Sequence, residues 1–266
     1  MWFKACQPVQ AFEPQLTAEL SRRWPGLVAR VVGHDPARAW LLTADAGAPF
    51  ATLGNSPGLW LEVLPRYAEL QSGEAAHASE HVAHGVPDLR TETLPTRYEV
   101  LLRPDLPIPN RDRQRLRRFA SRFIKLCAEL VAESPLASIQ HDDLHLWNVY
   151  ADGPARRVLD WGDASVAHPF FSLVVTFRFL QEVNGLAPGD HWFARLRDAY
   201  LEPWGPGLTG VFDHALRIGH LAHLIAGVRQ RDALPAELRP DFDRSDTTVV
   251  AYMLGRSIHV GHEATG

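Results

Sequence analysis

In residues 113–133 the apolar positions Leu116, Phe119, Ala120, Phe123, Cys127, Leu130 and Val131 recur at helical spacing, which predicts a long amphipathic helix. The arginines of the basic run RDRQRLRRFASRFIK (111–125) then fall on the opposite face and read as a solvated surface. Nearer the start, residues 2–5 read as the end of a strand. Pro14 opens a helix carrying Leu16, Leu20 and Trp24, and Pro25-Gly26 stops it. The pattern changes in 27–44 to two β-rich runs around HDPAR, which predicts a hairpin.

From DAGAP (45–49) onward helical patterns dominate. One helix is predicted over 57–72, with Ser56-Pro57 as cap and first residue, and another over 74–84, ending at Gly85. Three short runs, 138–141, 148–151 and 157–161, read as strands among helices. Residues 171–260 read as helical, with breaks at 184–190, 203–207 and 234–243. The pattern is α+β, with a small α+β unit over 1–45 and a larger, mostly helical unit over 46–266.

Composition narrows the function classes. The chain has 266 residues, 46% of them hydrophobic, and a net charge of -4. It is long enough for a substantial core, and its interspersed charges give no reason to expect nucleic acid or an anionic membrane as partner. No run of about 18 apolar residues suggests a membrane span. Cys6 and Cys127 are too few and too far apart for a disulfide framework, so a reducing, cytoplasmic setting is expected. The oligomeric state is not legible.

The chemistry concentrates in QHDDLHLWNVY (140–150). The stretch NVYADGPARRVLDW reads as two strands joined at Asp152-Gly153-Pro154, which would set Asn148 opposite Asp160 at the open end. An amide oxygen and a carboxylate aimed at one place are hard-oxygen ligands of the kind Mg²⁺ accepts beside phosphate. The entering loop brings Asp143 to the same place, where a carboxylate can orient a hydroxyl and accept its proton.

His141-x-Asp143-x-x-x-x-Asn148 followed by Asp160-Trp161-Gly162 resembles the catalytic loop and metal-binding motif of protein-kinase-like phosphotransferases. His145 and the following DWGDASVAHPFF make it similar to the aminoglycoside phosphotransferase and choline kinase-like family. The resemblance implies a protein-kinase-like fold, ATP and Mg²⁺ as cofactors, and a small-molecule hydroxyl acceptor. It implies Asp143 as catalytic base, Asn148 and Asp160 as metal ligands, and His141 in the catalytic loop, as a brace or in catalysis. WFKA resembles the strand of the phosphate-pairing lysine, making Lys4 the candidate and Glu13 its ion-pair partner, with Glu19 as fallback. LLTADAG (41–47), with Ala44 at its centre, stands where the family has the hinge whose backbone binds adenine. His145 contacts phosphate or packs.

Three departures from the family pattern stand out. Only three residues precede Lys4, where kinase-like folds place two strands and a phosphate-covering loop. The expectation is an incomplete small lobe with weak nucleotide binding and an exposed strand edge. Asp142 stands where relatives carry glycine, and Ser172 where they often carry aspartate. Asp163, Trp161 and Trp192 are candidates for lining a pocket for a cationic acceptor. Two other readings compete. One is a metal-dependent oxygenase or hydrolase in which His214, His220 or His223 complete a site with His141 and Asp143. The other is a non-catalytic kinase-like binding module.

Overall fold

The computed structural model describes residues 1–134 and 136–258. Strand β1 (Trp2–Ala5) leads to helix α1 (Glu13–Arg23), and β2 (Val31–Asp35) and β3 (Trp40–Thr43) form the hairpin around HDPAR. The three strands make one antiparallel sheet in the order β1-β3-β2. β1 is thus an edge strand, and its Trp2 and Phe3 are exposed. Residues 27–29 follow neither run of the hairpin: Val158 donates its amide to the Leu27 carbonyl at 2.7 Å, which joins this segment to the distant strand containing Val158.

β4 (Ala48–Pro49) precedes α2 (Pro57–Glu74), which starts at the expected Ser56-Pro57 cap and runs two residues past its expected end. A 3-10 turn and α3 (Ala78–Ala83) occupy the next predicted helix, and Gly85 leaves it in the left-handed region at φ 93°. β5 (Asp88–Leu89), α4 (Leu94–Arg97) and the long α5 (Asn110–Glu133) follow. α5 buries Leu116, Phe123, Leu126, Cys127 and Leu130, as its periodicity requires. Arg113 departs from the solvated-face expectation. It is buried and donates to the carbonyls of Arg103 and Ile108 at 3.1 and 2.8 Å, satisfying a loop that has no strand partner.

Strands β6 (Ser138–Gln140), β7 (Val149–Asp152), β8 (Ala155–Val158) and β9 (Ser165–Ala167) form two more three-stranded sheets, β4-β7-β8 and β5-β9-β6. Helices α6 (Leu173–Glu182), α7 (His191–Leu201), α8 (Thr209–Ala233) and α9 (Arg239–Ile258) complete the fold. The break expected over 234–243 ends at residue 238, and residues 259 and 260 of the predicted helical stretch lie outside the described residues. α2 packs on α7 and α8 on α9 around a core that includes Trp60, Tyr67, Trp161, Phe170 and Phe212. Among the described residues no helix is long and apolar enough to cross a membrane.

Candidate active site

Three elements far apart in sequence deliver one charge cluster. β1 presents Lys4, α1 presents Glu13 in its first turn, and the segment after β8 presents Asp160. Lys4 Nζ lies 2.6 Å from Glu13 Oε2 and 2.5 Å from Asp160 Oδ1. Burial works against the charge on Lys4, but Glu13 and then Asp160 outweigh it, so the ammonium is held above its ordinary pKa. Glu13 also accepts from the Cys6 thiol at 3.3 Å, and burial together with this carboxylate pushes Cys6 up to about 12, leaving it an unreactive thiol. Glu19, the fallback partner, points elsewhere: its Oε1 accepts from Gln15 at 2.6 Å.

Asp160 adopts a left-handed conformation at φ 62°, ending β8 at Val158, before the predicted strand end. The hairpin register also differs by one residue from the expected pairing. Gly153-Pro154 forms a two-residue turn that sets Asp152 opposite Ala155 and Val149 opposite Val158. Leu159 therefore donates to the Asn148 carbonyl at 2.9 Å, and Leu159 rather than Asp160 faces Asn148. The left-handed turn restores the convergence: Asn148 and Asp160 still line one cleft of about 240 Å³ with Lys4, Glu13, Ala29 and Leu41. Ala44 is not among the residues lining it, although its neighbour Thr43 is; the Ala44 amide donates to the Arg30 carbonyl at 2.8 Å.

The loop between β6 and β7 is held from below. His141 is buried, donates from Nε2 to the Leu159 carbonyl at 2.7 Å, and donates its own amide to Tyr67 Oη at 2.9 Å. Burial lowers its pKa, so the ring is neutral. Tyr67 Oη lies 3.1 Å from Ser172 Oγ, and Gln71 Nε2 donates to Ser172 at 2.9 Å and to the Ile139 carbonyl at 2.9 Å. Ser172 thus buttresses the loop through neutral hydrogen bonds, in place of the carboxylate expected from the family pattern.

Above this support the side chains diverge. Asp142 sits in the left-handed region at φ 63° and accepts from His223 Nδ1 on α8 at 3.1 Å. Asp143 accepts from Asn148 Nδ2 at 3.1 Å and lies 3.2 Å from His145 Nε2. His145 Nδ1 accepts from the Trp147 amide at 3.1 Å, which places the ring proton on Nε2, toward Asp143. Burial alone would raise Asp143, but His145 first among its neighbours holds it down to about 2, so it is ionised at neutral pH. This contact between His145 and Asp143 was not anticipated, although their two-residue spacing in a tight loop was its available signal.

Asp163 accepts from Gln10 at 3.1 Å and from Gln230. Burial, then the charge of Asp143, raises its pKa to about 6. Trp161 and Trp192 do not join it. Trp161 is fully buried against His141 at 4.8 Å between ring centres, and Trp192 lies on α7 beside Arg195. Nor do the three histidines of α8 assemble a metal triad with the loop. His214 pairs with Glu133, His220 donates to the Leu216 carbonyl and His223 holds Asp142. Among the described residues no metal-ligating cluster includes any of them.

The architecture is the protein-kinase-like fold. The structure superposes on an ethanolamine kinase from Plasmodium vivax with a TM-score of 0.63 at 11% identity, over 95% of this chain and 73% of that one. Choline kinase LicA of Streptococcus pneumoniae gives 0.58 at 11%, over 94% and 85%. Aminoglycoside 2'-phosphotransferase-IIIa, solved with GDP, gives 0.59 at 14%, over 92% and 82%. A phosphotransferase enzyme family model matches residues 44–211, more than half of the chain, and the chain belongs to that family. Lys4 and Glu13 precede the matched segment. Comparison with curated proteins gives no match.

Proposed function

We propose that the chain transfers the terminal phosphoryl group of ATP to a hydroxyl of a small molecule. The observation that carries this reading is the convergence of Lys4, Glu13 and Asp160 in a cleft that Asn148 also lines, beside Asp143. In this reading residues 1–45 form the nucleotide-facing lobe and 46–266 hold the loop and the acceptor. Ala29, Leu41 and Leu159, which line the cleft, supply apolar surface for the base. Lys4 grips phosphate oxygens and Glu13 holds Lys4 extended toward them.

The donor set fits Mg²⁺. Asn148 uses its Nδ2 on Asp143, which turns its amide oxygen away from that carboxylate, and Asp160 offers a half-exposed carboxylate. When bound, the ion would neutralise phosphate charge. Asp143 orients the acceptor hydroxyl and takes up its proton as the phosphoryl group leaves for it. His141 acts by fixing the loop, through Leu159 and Tyr67. Asp163, near enough to Asp143 for that charge to help raise its pKa to about 6, would suit an acceptor that carries an amine.

The test is ATP consumption by the full chain with Mg²⁺ against a panel of amino-alcohols and aminoglycosides, with Lys4→Met as control. Acceptor-dependent turnover that Lys4→Met abolishes is expected. Turnover with no acceptor, or none with any, would refute the reading.

A second expectation concerns Gly162. A Cβ there would lie 2.7 Å from Gln10 Nε2 and 2.9 Å from Glu13 Oε2, so an added methyl has to push the ends of these two side chains aside. Gly162→Ala should displace Glu13 from Lys4 and weaken ATP binding by about tenfold, some 1.4 kcal/mol. Calorimetry against the parent chain measures it, and an unchanged affinity would contradict the positioning role of Glu13.

A further inference from the structure

A second cluster of ligating side chains lies outside the cleft. The stretch HASEHVAHG (77–85) carries Glu80, His81 and His84, and the fold lays them against Glu19 of α1. One ligating atom from each of Glu19, Glu80 and His84 falls within 4.8 Å of the others. His84 Nδ1 is 3.1 Å from Glu19 Oε1, and Glu80 is anchored on its other side by His77 Nδ1 at 2.9 Å.

Two buried atoms beside this cluster lack partners. Glu19 is only 3% exposed, and its Oε2 has no hydrogen-bond donor. His81 is 0% exposed; its Nε2 donates to Glu74 Oε2 at 2.8 Å, and its Nδ1 is unpartnered. That Nδ1 lies 3.8 Å from Glu19 Oε2. Two buried polar atoms without a hydrogen bond thus stand side by side in the interior, an arrangement that is costly without a further partner. Arg23 does not supply one: it stands 3.9 Å from Glu19 Oε2, and its own hydrogen bonds go to Glu74 at 2.8 and 2.7 Å.

We infer that Glu19, Glu80 and His84 bind a divalent transition-metal ion of the Zn²⁺ type that ties α1 to α3, with the buried His81 Nδ1 beside the site. Mixed imidazole and carboxylate donors select such an ion over Mg²⁺ or Ca²⁺, which take oxygen ligands. The Glu74–His81 hydrogen bond at 2.8 Å fixes the ring of His81 beside the site. Tetrahedral coordination at bond lengths of about 2.0–2.2 Å sets ligand atoms about 3.3 Å apart. The His84–Glu19 pair meets that spacing at 3.1 Å, and the exposed Glu80 would turn on its stem from its contact with His77 to close the rest. Because α1 also carries Glu13, the ion would fasten the helix that positions Lys4.

Chelator-treated full-length protein titrated with Zn²⁺ by calorimetry, and with Co²⁺ by absorption spectroscopy, tests the site. One ion per chain is expected, with a dissociation constant of about 1 µM or tighter. His84→Ala and Glu80→Gln should each weaken it at least tenfold and remove the zinc-dependent rise in melting temperature. Both side chains are exposed, and the reading is the zinc-dependent increment, not the melting temperature itself. Affinity weaker than about 100 µM, binding unchanged in both variants, or a thiolate charge-transfer band in the Co²⁺ spectrum would overturn the assignment.

Discussion

Asp143→Asn should lower acceptor-dependent turnover by about 10²–10⁴-fold, the effect of removing a positioned general base, while the melting temperature stays within a few degrees. The side chain is held at 3.1 Å by Asn148 and 3.2 Å by His145, and its low pKa keeps it ionised across the neutral range. Asparagine keeps the shape and the Asn148 contact but cannot accept the hydroxyl proton. The neighbouring Asp142→Asn is the discriminating control. Asp142 spends its carboxylate on His223, away from Asp143, so its loss should weaken the α8 contact and cost turnover about tenfold or less. Steady-state kinetics on both variants decides it: equal losses would show that the assignment of the base to Asp143 is wrong.

Glu74→Gln should destabilise the fold by about 3–5 kcal/mol, the range for breaking a buried ion pair from one side. In a chain of this size that corresponds to a fall of about 10 °C in melting temperature. Glu74 is fully buried and gathers Arg23 through two hydrogen bonds of 2.8 and 2.7 Å, Trp24 Nε1 at 2.6 Å and His81 Nε2 at 2.8 Å. It thereby joins the end of α1 to α2 and α3. Burial by itself would raise its pKa, but His81, Arg23 and Trp24 outweigh that and hold it down to about 2. A carboxylate depressed in the folded state contributes stability that is complete above its unfolded pKa of about 4.3 and disappears as pH falls through the folded value. The difference between parent and variant should therefore be full at pH 7 and shrink from about pH 4 toward pH 2. Thermal melts across that range measure it, and a pH-independent difference would contradict the charged state of Glu74.

Periodicity and punctuation made most of the elements legible. The amphipathic face of α5, the Ser56-Pro57 start of α2 and the HDPAR hairpin are local consequences of spacing and of proline and glycine chemistry. β4 was not legible, because two residues carry no period, and it forms only where β7 arrives to pair with it. The motif residues Asp143, Asn148 and Asp160 could be named from their spacing, yet their pairing was offset by one residue. A hairpin's register depends on which two residues turn, and Gly153-Pro154 rather than Asp152-Gly153-Pro154 make this one. Ala44 could be placed by analogy with a hinge but not excluded from the cleft, whose lining includes its neighbour Thr43 instead.

What the sequence determined by itself is most of the helices and strands and the chemical identity of the loop, because both arise from neighbours along the chain. Only the tertiary structure decided which charges meet. Lys4 finds Glu13 and Asp160 because β1, α1 and the end of β8 pack together, and Arg23 and His81 find Glu74 because α1, α2 and α3 do. The same packing sets His145 on Asp143 and leaves Glu19 Oε2 3.8 Å from His81 Nδ1 with no hydrogen bond between them. Residue spacing does not settle such pairs, since burial and the choice of partner across the core decide whether a charge is solvated, matched or left in need of a partner.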